Sequence, residues 1–428
     1  MSPLLFTPEL AEQLPGDDWL RARRRDRAAV AIEAAAPSVE AEEWRYSRIA
    51  ELPFESLVPA GAGSADDGDV PKPAMEALAA IGDHCGHIVT VDGAVVRQMG
   101  CAEADEAGVT FGPATSGELL GLAMGEAPDL FAAWNDALAS APLVLDIPAG
   151  ASLDRPVVVV HHLAGDGLAA FPRLVVRAGE NSAVSVLEVY TSDDVASLSA
   201  PVTEISVGRA ARVRHTVVQD LGARVWQIGS LVTDVGQEAT FDSGVAALGG
   251  DYARLRIDCR LVGRGAAGNV AAAYLGSGQQ MIDLRTFQEH VAEDTTSDLY
   301  FKGAVDDDSH SVYTGMIHIR PTGRGTNAVQ SNRVVKLSEN AWAESVPNLE
   351  IENNDVRCAH ASTVGPVDPE HRYYLESRGV PPQAAERLVV GGFFDDALQH
   401  FPIAEAIGFI GSLIDAELDR GIAELAGQ

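Results

Sequence analysis

Lysine is nearly missing from this chain. Of its 428 residues only Lys72, Lys302 and Lys336 are lysines, so arginine carries the positive charge, and 31 Lys+Arg face 62 Asp+Glu for a formal charge of −31. A surface that acidic repels phosphate backbones and anionic headgroups, which argues against nucleic acid and membrane as partners. None of the three lysines follows a glycine, so the GxxxxGK[ST] phosphate loop is absent and the chain is not itself a P-loop ATPase. The GxSxG and HExxH hydrolase signatures are absent too. Cysteine is scarce. Cys85, Cys101, Cys259 and Cys358 are too few and too scattered for a disulfide framework. No run of 18 apolar residues provides a transmembrane helix, and the start MSPLLFTPEL lacks the basic region and apolar core of a signal peptide. These absences point to a cytoplasmic chain with reduced thiols. Its 46% hydrophobic and 22% charged residues are an ordinary globular balance, and the length suits two or three folding units.

Residues 1–141 read as a mostly helical N-terminal domain. DWLRARRRDRAAVAIEAAA (18–36) is rich in helix formers and Pro37 ends it. EEWRYSRIAELPFESL (42–57) brings Trp44, Arg45 and Tyr46 together. GAGSADDGDVPKP (61–73) reads as a linker, and HIVTVDGAVV (87–96) as a hairpin turning at Asp92-Gly93. Helical spacing returns over 116–140.

From about residue 142 the texture changes. Short apolar runs such as VVVVHH, LVVRA and VSVLEVY alternate with Gly-rich turns for over 200 residues, and no helix-length pattern interrupts them. The turns repeat. GENSAV, GRAARV, GQEATF and GRGAAG begin at Gly179, Gly208, Gly236 and Gly263, spaced 29, 28 and 27 residues apart. The series continues at Glu293, Gly323 and Asn353. Three residues after each start stand Ser182, Ala211, Ala239, Ala266, Thr296, Thr326 and Val356, always small or β-branched. A sandwich has no reason to repeat every 30 residues, whereas a β-solenoid does, because each coil needs a small inward residue at its corner. The sequence therefore predicts a mainly β fold with a parallel β-helix over 142–365. GRGAAG (263–268) also matches GxGxxG, but strand and turn follow it where a dinucleotide site needs a helix.

After Gly365 the chain turns helical over 366–428. DPEHRYYLESRG ends on Gly379, Pro381-Pro382 blocks continuation, and the last helix is apolar at Ile407, Ile410, Leu413 and Ile414. That amphipathic face suits either a cap on the solenoid end or a docking surface.

Three clusters carry candidate chemistry. HCGH (84–87) lacks the second ligand pair a zinc ribbon needs and reads as a polar lead-in to the hairpin. His161 and His162 are neighbours on a strand and point to opposite faces, so they share no metal. In NNDVRCAHASTVG, Cys358 and His360 are two apart on a strand and converge on one face, about 7 Å apart. A thiolate and an imidazole suit iron or zinc, or a nucleophile with its base; ordinary packing is the third reading.

The wider context of that pair resembles a known family. PNLEIENNDVRCAHASTVG followed by DPEHRYYLESRG is similar to the signature of the SufB/SufD scaffolds of iron–sulfur cluster assembly, as are TGMIHIRPTGRGTNAVQSNRVVKLSENAWAES (314–345) and EEWRYS. The D-type paralogue, SufD, is the better match. The B-type carries a cysteine just before the P-x-LE strand, where this chain has Ala341, Trp342 and Ala343. The family's His-Gly-Ala is His360-Ala361-Ser362 here. The resemblance implies a right-handed parallel β-helix flanked by N-terminal and C-terminal helical domains, and a non-catalytic subunit of an assembly complex. It further implies pairing with a SufB-type scaffold through the β-helix, and docking of a SufC-type ATPase on the C-terminal helices. That ATPase would hydrolyse the ATP, and sulfur would arrive from a donor acting on the complex. Cys358 and His360 would meet iron or a nascent cluster at the scaffold interface; a flavin accompanies some such complexes, and nothing in the residues supports one here. A B-type scaffold and a β-helix carbohydrate-active enzyme are the alternatives.

Overall fold

A computed structural model describes residues 6–61 and 70–427. Its centre is a parallel β-solenoid of two long sheets. From Leu143–Ile147 and Val157–Leu163 to Trp342–Ile351 and Arg357–Pro366, successive coils give one strand to each sheet, eight coils in all. Every pairing between these coils is parallel, with registers such as Ala183↔Arg212, Arg212↔Thr240 and Thr240↔Ala267. The strands alternate apolar residues into the lumen and outward, so both faces of each sheet are buried over most of the length.

The corners explain the sequence repeat. A Cβ on Gly179, Gly208, Gly236 or Gly263 would lie 1.9–2.8 Å from backbone atoms of the preceding coil, so only glycine lets the coils stack there. Two residues on, the chain takes a left-handed conformation at Asn181, Ala210, Glu238, Gly265, Asp294 and Gly325. One residue further, Ser182, Ala211, Ala239, Ala266 and Thr326 point inward and are buried. At the fifth corner the expected inward residue was Thr296. The buried one is Thr295, with Thr296 exposed, because the turn there starts at Ala292 and Asp294 takes the left-handed position. GRGAAG is one of these corners and lies between two strands.

The flanks cover the outer faces. The hairpin turns at Asp92-Gly93, both with positive φ as a type I′ turn requires, and its strand Gly86–Val91 extends the second sheet by pairing parallel to Val157–Leu163. Thr110–Pro113 closes the first sheet, antiparallel to Leu143–Ile147. The linker expected at 61–73 falls mostly on residues 62–69, outside the described residues, and Lys72 already belongs to the helix Lys72–Ile81. The helices Pro8–Gln13, Asp18–Ala31 and Leu130–Leu138 pack outside the first sheet.

The EEWRYS segment sits on the same face. Trp44 is buried 4.0 Å beneath the Arg254 guanidinium, Arg254 donates to the carbonyl of Glu43, and Arg285 donates to that of Arg45. Asp283, fully buried, accepts from both arginines at 2.8 Å and from the Tyr252 hydroxyl. Those two arginines hold its carboxyl below the usual range despite burial.

The C-terminal helices Pro382–Leu398 and Ala404–Gly427 lie along the outer face of the second sheet. They do not cap the solenoid end, one of the two roles open to them from sequence. Phe401 fills the space left by Gly244, where a Cβ would come within 2.5 Å of its ring, and Lys302 bonds Asp396 at 2.6 Å and the Phe393 carbonyl at 3.0 Å. No described helix is long and apolar enough to cross a membrane.

One thiol expectation is corrected. Cys85 and Cys101 form a disulfide, with Cα atoms 5.3 Å apart. The hairpin is the physical reason. It pairs His87 with Met99, which sets the residues just beyond its ends opposite each other.

Candidate functional site at the open end of the solenoid

The lumen changes character toward its C-terminal end, and register shows how. One inward column of the second sheet runs Val270, Leu299, Gln330, His360; its neighbours run Gly268, Ser297, Ala328, Cys358 and Ala272, Phe301, Asn332, Ser362. Apolar side chains thus give way to amides and then to imidazole, thiol and hydroxyl. On the facing sheet the columns end in Ser345 and Pro347, after Tyr313 and Gly315. The Asn332 amide bridges the lumen, accepting from the Tyr274 hydroxyl at 2.9 Å and donating to Ser345 Oγ at 3.0 Å. Gly315 leaves the room that the Gln330 amide occupies, since a Cβ there would lie 2.4 Å from it. Gln330 is buried and its Oε1 has no partner among the described residues, an unmet polar demand just beneath His360.

Cys358 and His360 do share the inward face, as their two-residue spacing predicted. They occupy adjacent columns of the last coil, with Cys358 half-buried against the lumen core and His360 exposed. No third ligand joins them among the described metal-ligand groups. No described hydrogen bond links thiol to imidazole, and burial pushes the Cys358 thiol up. An activated nucleophile is favoured by the opposite shift. The other free thiol, Cys259, is deep in the lumen and pushed up to about 12 by burial. The described metal-ligand groups bring neither His84 nor His87 to Cys85, which is in the disulfide, and His84 Nε2 lies 2.9 Å from His87 Nδ1. His161 and His162 point apart, to Thr90 and Thr191 respectively.

The end itself is open. Among the described residues, Trp342–Ile351 and Arg357–Pro366 are the outermost strands of their sheets, each paired on one side only. Inward positions that are sealed in earlier coils are therefore uncovered here: Leu349, Ile351 and Val364 expose 37%, 45% and 41% of their surface. An uncapped lumen with two free strand edges is an unfinished surface, which folded proteins ordinarily cover or blunt. The exposed helix Pro369–Glu376 follows directly and presents Tyr373 and Tyr374 to solvent.

Sequence reasoning singled out Cys358 and His360 as candidates but not Gln330's unmet amide, Asn332 or Ser345, which only register places around them. A lumen buried network farther back was also missed: Glu188 accepts from Thr203 and Tyr190 and pairs with His215 at 2.8 Å.

Residues 161–393 match the SufBD core domain of the SUF system for FeS cluster assembly. The chain is 31% identical over 274 residues to an iron-sulfur cluster assembly SufBD family protein of Mycobacterium tuberculosis, covering 62% of this chain and 68% of that protein. It is 25% identical over 298 residues to one from Staphylococcus epidermidis, and 26% identical over 302 residues to one from Staphylococcus aureus. Each of those two alignments covers 69% of this chain and 64% of the relative. The chain belongs to the SufBD family of the SUF iron–sulfur cluster assembly system.

Proposed function

We propose that this chain is the SufD-type, non-catalytic member of an iron–sulfur assembly complex. The observation that carries the reading is the uncapped last coil, where a thiol, an imidazole and buried amides line the end of an otherwise apolar lumen between two free strand edges. A second solenoid docked there would cover Leu349, Ile351 and Val364 and satisfy both edges by strand addition. It would also enclose Cys358 and His360 at the seam. Iron or a nascent cluster is the cargo of that seam. Two side chains of mixed softness hold such cargo reversibly, and closure by the partner supplies the remaining ligands.

The partner is a SufB-type scaffold. The D-type reading rests on Ala341-Trp342-Ala343, where the B-type resemblance requires a cysteine. The exposed tyrosines and the helices beyond Gly365 are the docking region for a SufC-type ATPase, which supplies the ATP hydrolysis this chain has no motif for. The sulfur donor acts on the assembled complex, and the working compartment is the cytoplasm.

Native mass spectrometry of the chain purified anaerobically from its source cells tests the assembly. A particle with a second scaffold and two ATPase copies supports it, and a lone chain or homodimer overturns it. His360→Ala is expected to leave that particle intact and lower its iron content severalfold; unchanged iron and cluster formation would remove the cargo role.

A further inference from the structure

The outward face of the last two coils holds a second constellation, which the Cys358–His360 reading does not use. His318 stands on strand His310–Ile319 directly opposite Glu350 on Trp342–Ile351, and Glu352 follows one residue beyond that strand. His318 Nε2 is 2.8 Å from Glu352 Oε1 and 3.9 Å from Glu350 Oε1, and one ligand atom from each of the three lies within 4.8 Å of the others. Their surroundings make the cluster short of positive charge. Along this outward row of the first sheet, the rungs run Asp234, Arg260, Glu289, His318, Glu350. Asp234 is paired with Arg260 and Glu289 with Arg320. Glu350 and Glu352 have no arginine or lysine partner among the described ion pairs and share the single imidazole. Two carboxylates against at most one positive charge leave the group anionic in either state of the histidine.

We infer that His318, Glu350 and Glu352 form a binding site for a divalent first-row transition metal, with Fe2+ the physiological occupant. One imidazole nitrogen and two carboxylate oxygens are a donor set for Fe2+, Mn2+ or Zn2+, and the absence of thiolate separates it from the softer lumen pair. All three donors come from one side of an exposed sheet face, so the remaining coordination positions are open to water. That is the layout of a site that exchanges its ion, in contrast to a closed structural site. The geometry alone argues for the metal; the choice of iron rests on the proposed assembly function. On that reading the site is an iron-receiving station on the outside of the coil whose inside holds Cys358 and His360.

The test is anaerobic titration of the purified full-length chain with Co2+ as probe, followed by absorption and calorimetry. The expected result in the double variant Cys358→Ser/His360→Ala, which removes the lumen pair, is one Co2+ per chain with ligand-field bands and no thiolate-to-metal charge-transfer band. His318→Ala is expected to weaken binding at least roughly 100-fold, given that outer-shell partners alone are worth 10–100-fold. Glu352→Gln weakens it by a smaller factor and serves where His318→Ala does not fold. Failure of that double variant to bind Co2+ at 1:1, or binding unaffected by both His318→Ala and Glu352→Gln, would each overturn the site. The titration uses the isolated chain, so its failure leaves the native mass spectrum unaffected, and failure of the complex to appear leaves the titration unaffected.

Discussion

The first and last coils of the solenoid are built from the same kind of strand and end in opposite ways. Val157–Leu163 is paired on both edges, by the hairpin strand and by Ala183–Ser192, and Val157 to Val160 are sealed from solvent. Arg357–Pro366 has one neighbour, and most of its residues are exposed. The difference is not in strand propensity, since Val364 is as good a strand residue as Val160. It lies in what the rest of the chain does: the N-terminal segment folds back over the first coil, whereas the C-terminal helices run along the outer face of the second sheet and leave the last coil bare. A solenoid must cap each end or hand it to a partner. The described residues of this chain cap one.

The contrast is open to attack, starting at the covered coils. Asp283→Ala strands Arg254 and Arg285 without a counter-charge and is expected to cost about 3–5 kcal/mol in urea unfolding. Glu352→Gln, an acid deleted from the open coil, should change stability by under about 0.5 kcal/mol. Equal losses would mean the last coil is as integral as the middle ones.

Next comes pH. Burial depresses His161 and His290, covered lumen histidines, from 6.5 to about 4. Between those values the unfolded chain binds protons that the folded chain refuses, so stability falls as pH drops from about 6.5 toward 4. The full shift is worth roughly 3 kcal/mol per histidine at the acid end. Denaturation midpoints across that window should flatten in His290→Gln, and an unchanged slope would show that His290 is not buried neutral.

A third experiment targets the open end. Ile351→Lys/Val364→Lys should lower affinity for the partner scaffold at least about tenfold, equivalent to ~1.4 kcal/mol, while moving the unfolding midpoint of the isolated chain little. Intact association would place the interface elsewhere. The smallest effect is at a corner: Ala210→Gly relieves a left-handed backbone and should stabilise by at most about 1 kcal/mol in thermal melts.

Much of this was legible in the residues. The recurring Gly179, Gly208, Gly236 and Gly263 are dictated by backbone crowding at each corner, a local requirement that leaves a local trace. Thr295 was missed for Thr296 because that corner starts at Ala292, 29 residues after Gly263 and without a glycine to mark it, so a 30-residue step lands one residue late. The Cys85–Cys101 pairing had a usable signal, since the two cysteines flank Asp92-Gly93 almost symmetrically and a hairpin turning there must bring them together. The buried Arg254–Asp283–Arg285 group had none, because arginine at an outward strand position reads as solvated surface until Trp44 is laid over it.

The sequence by itself determined the solenoid, its period, and the shared face of Cys358 and His360, because these follow from alternation along a strand and from what a tight corner tolerates. Only the tertiary structure decided which end stays open, and that Gln330, Asn332 and Ser345 surround the site. It alone set His318 against Glu350 and Glu352. Those contacts join residues about 30 apart through coil register, and register is fixed by the stacking of whole coils, which no local stretch encodes.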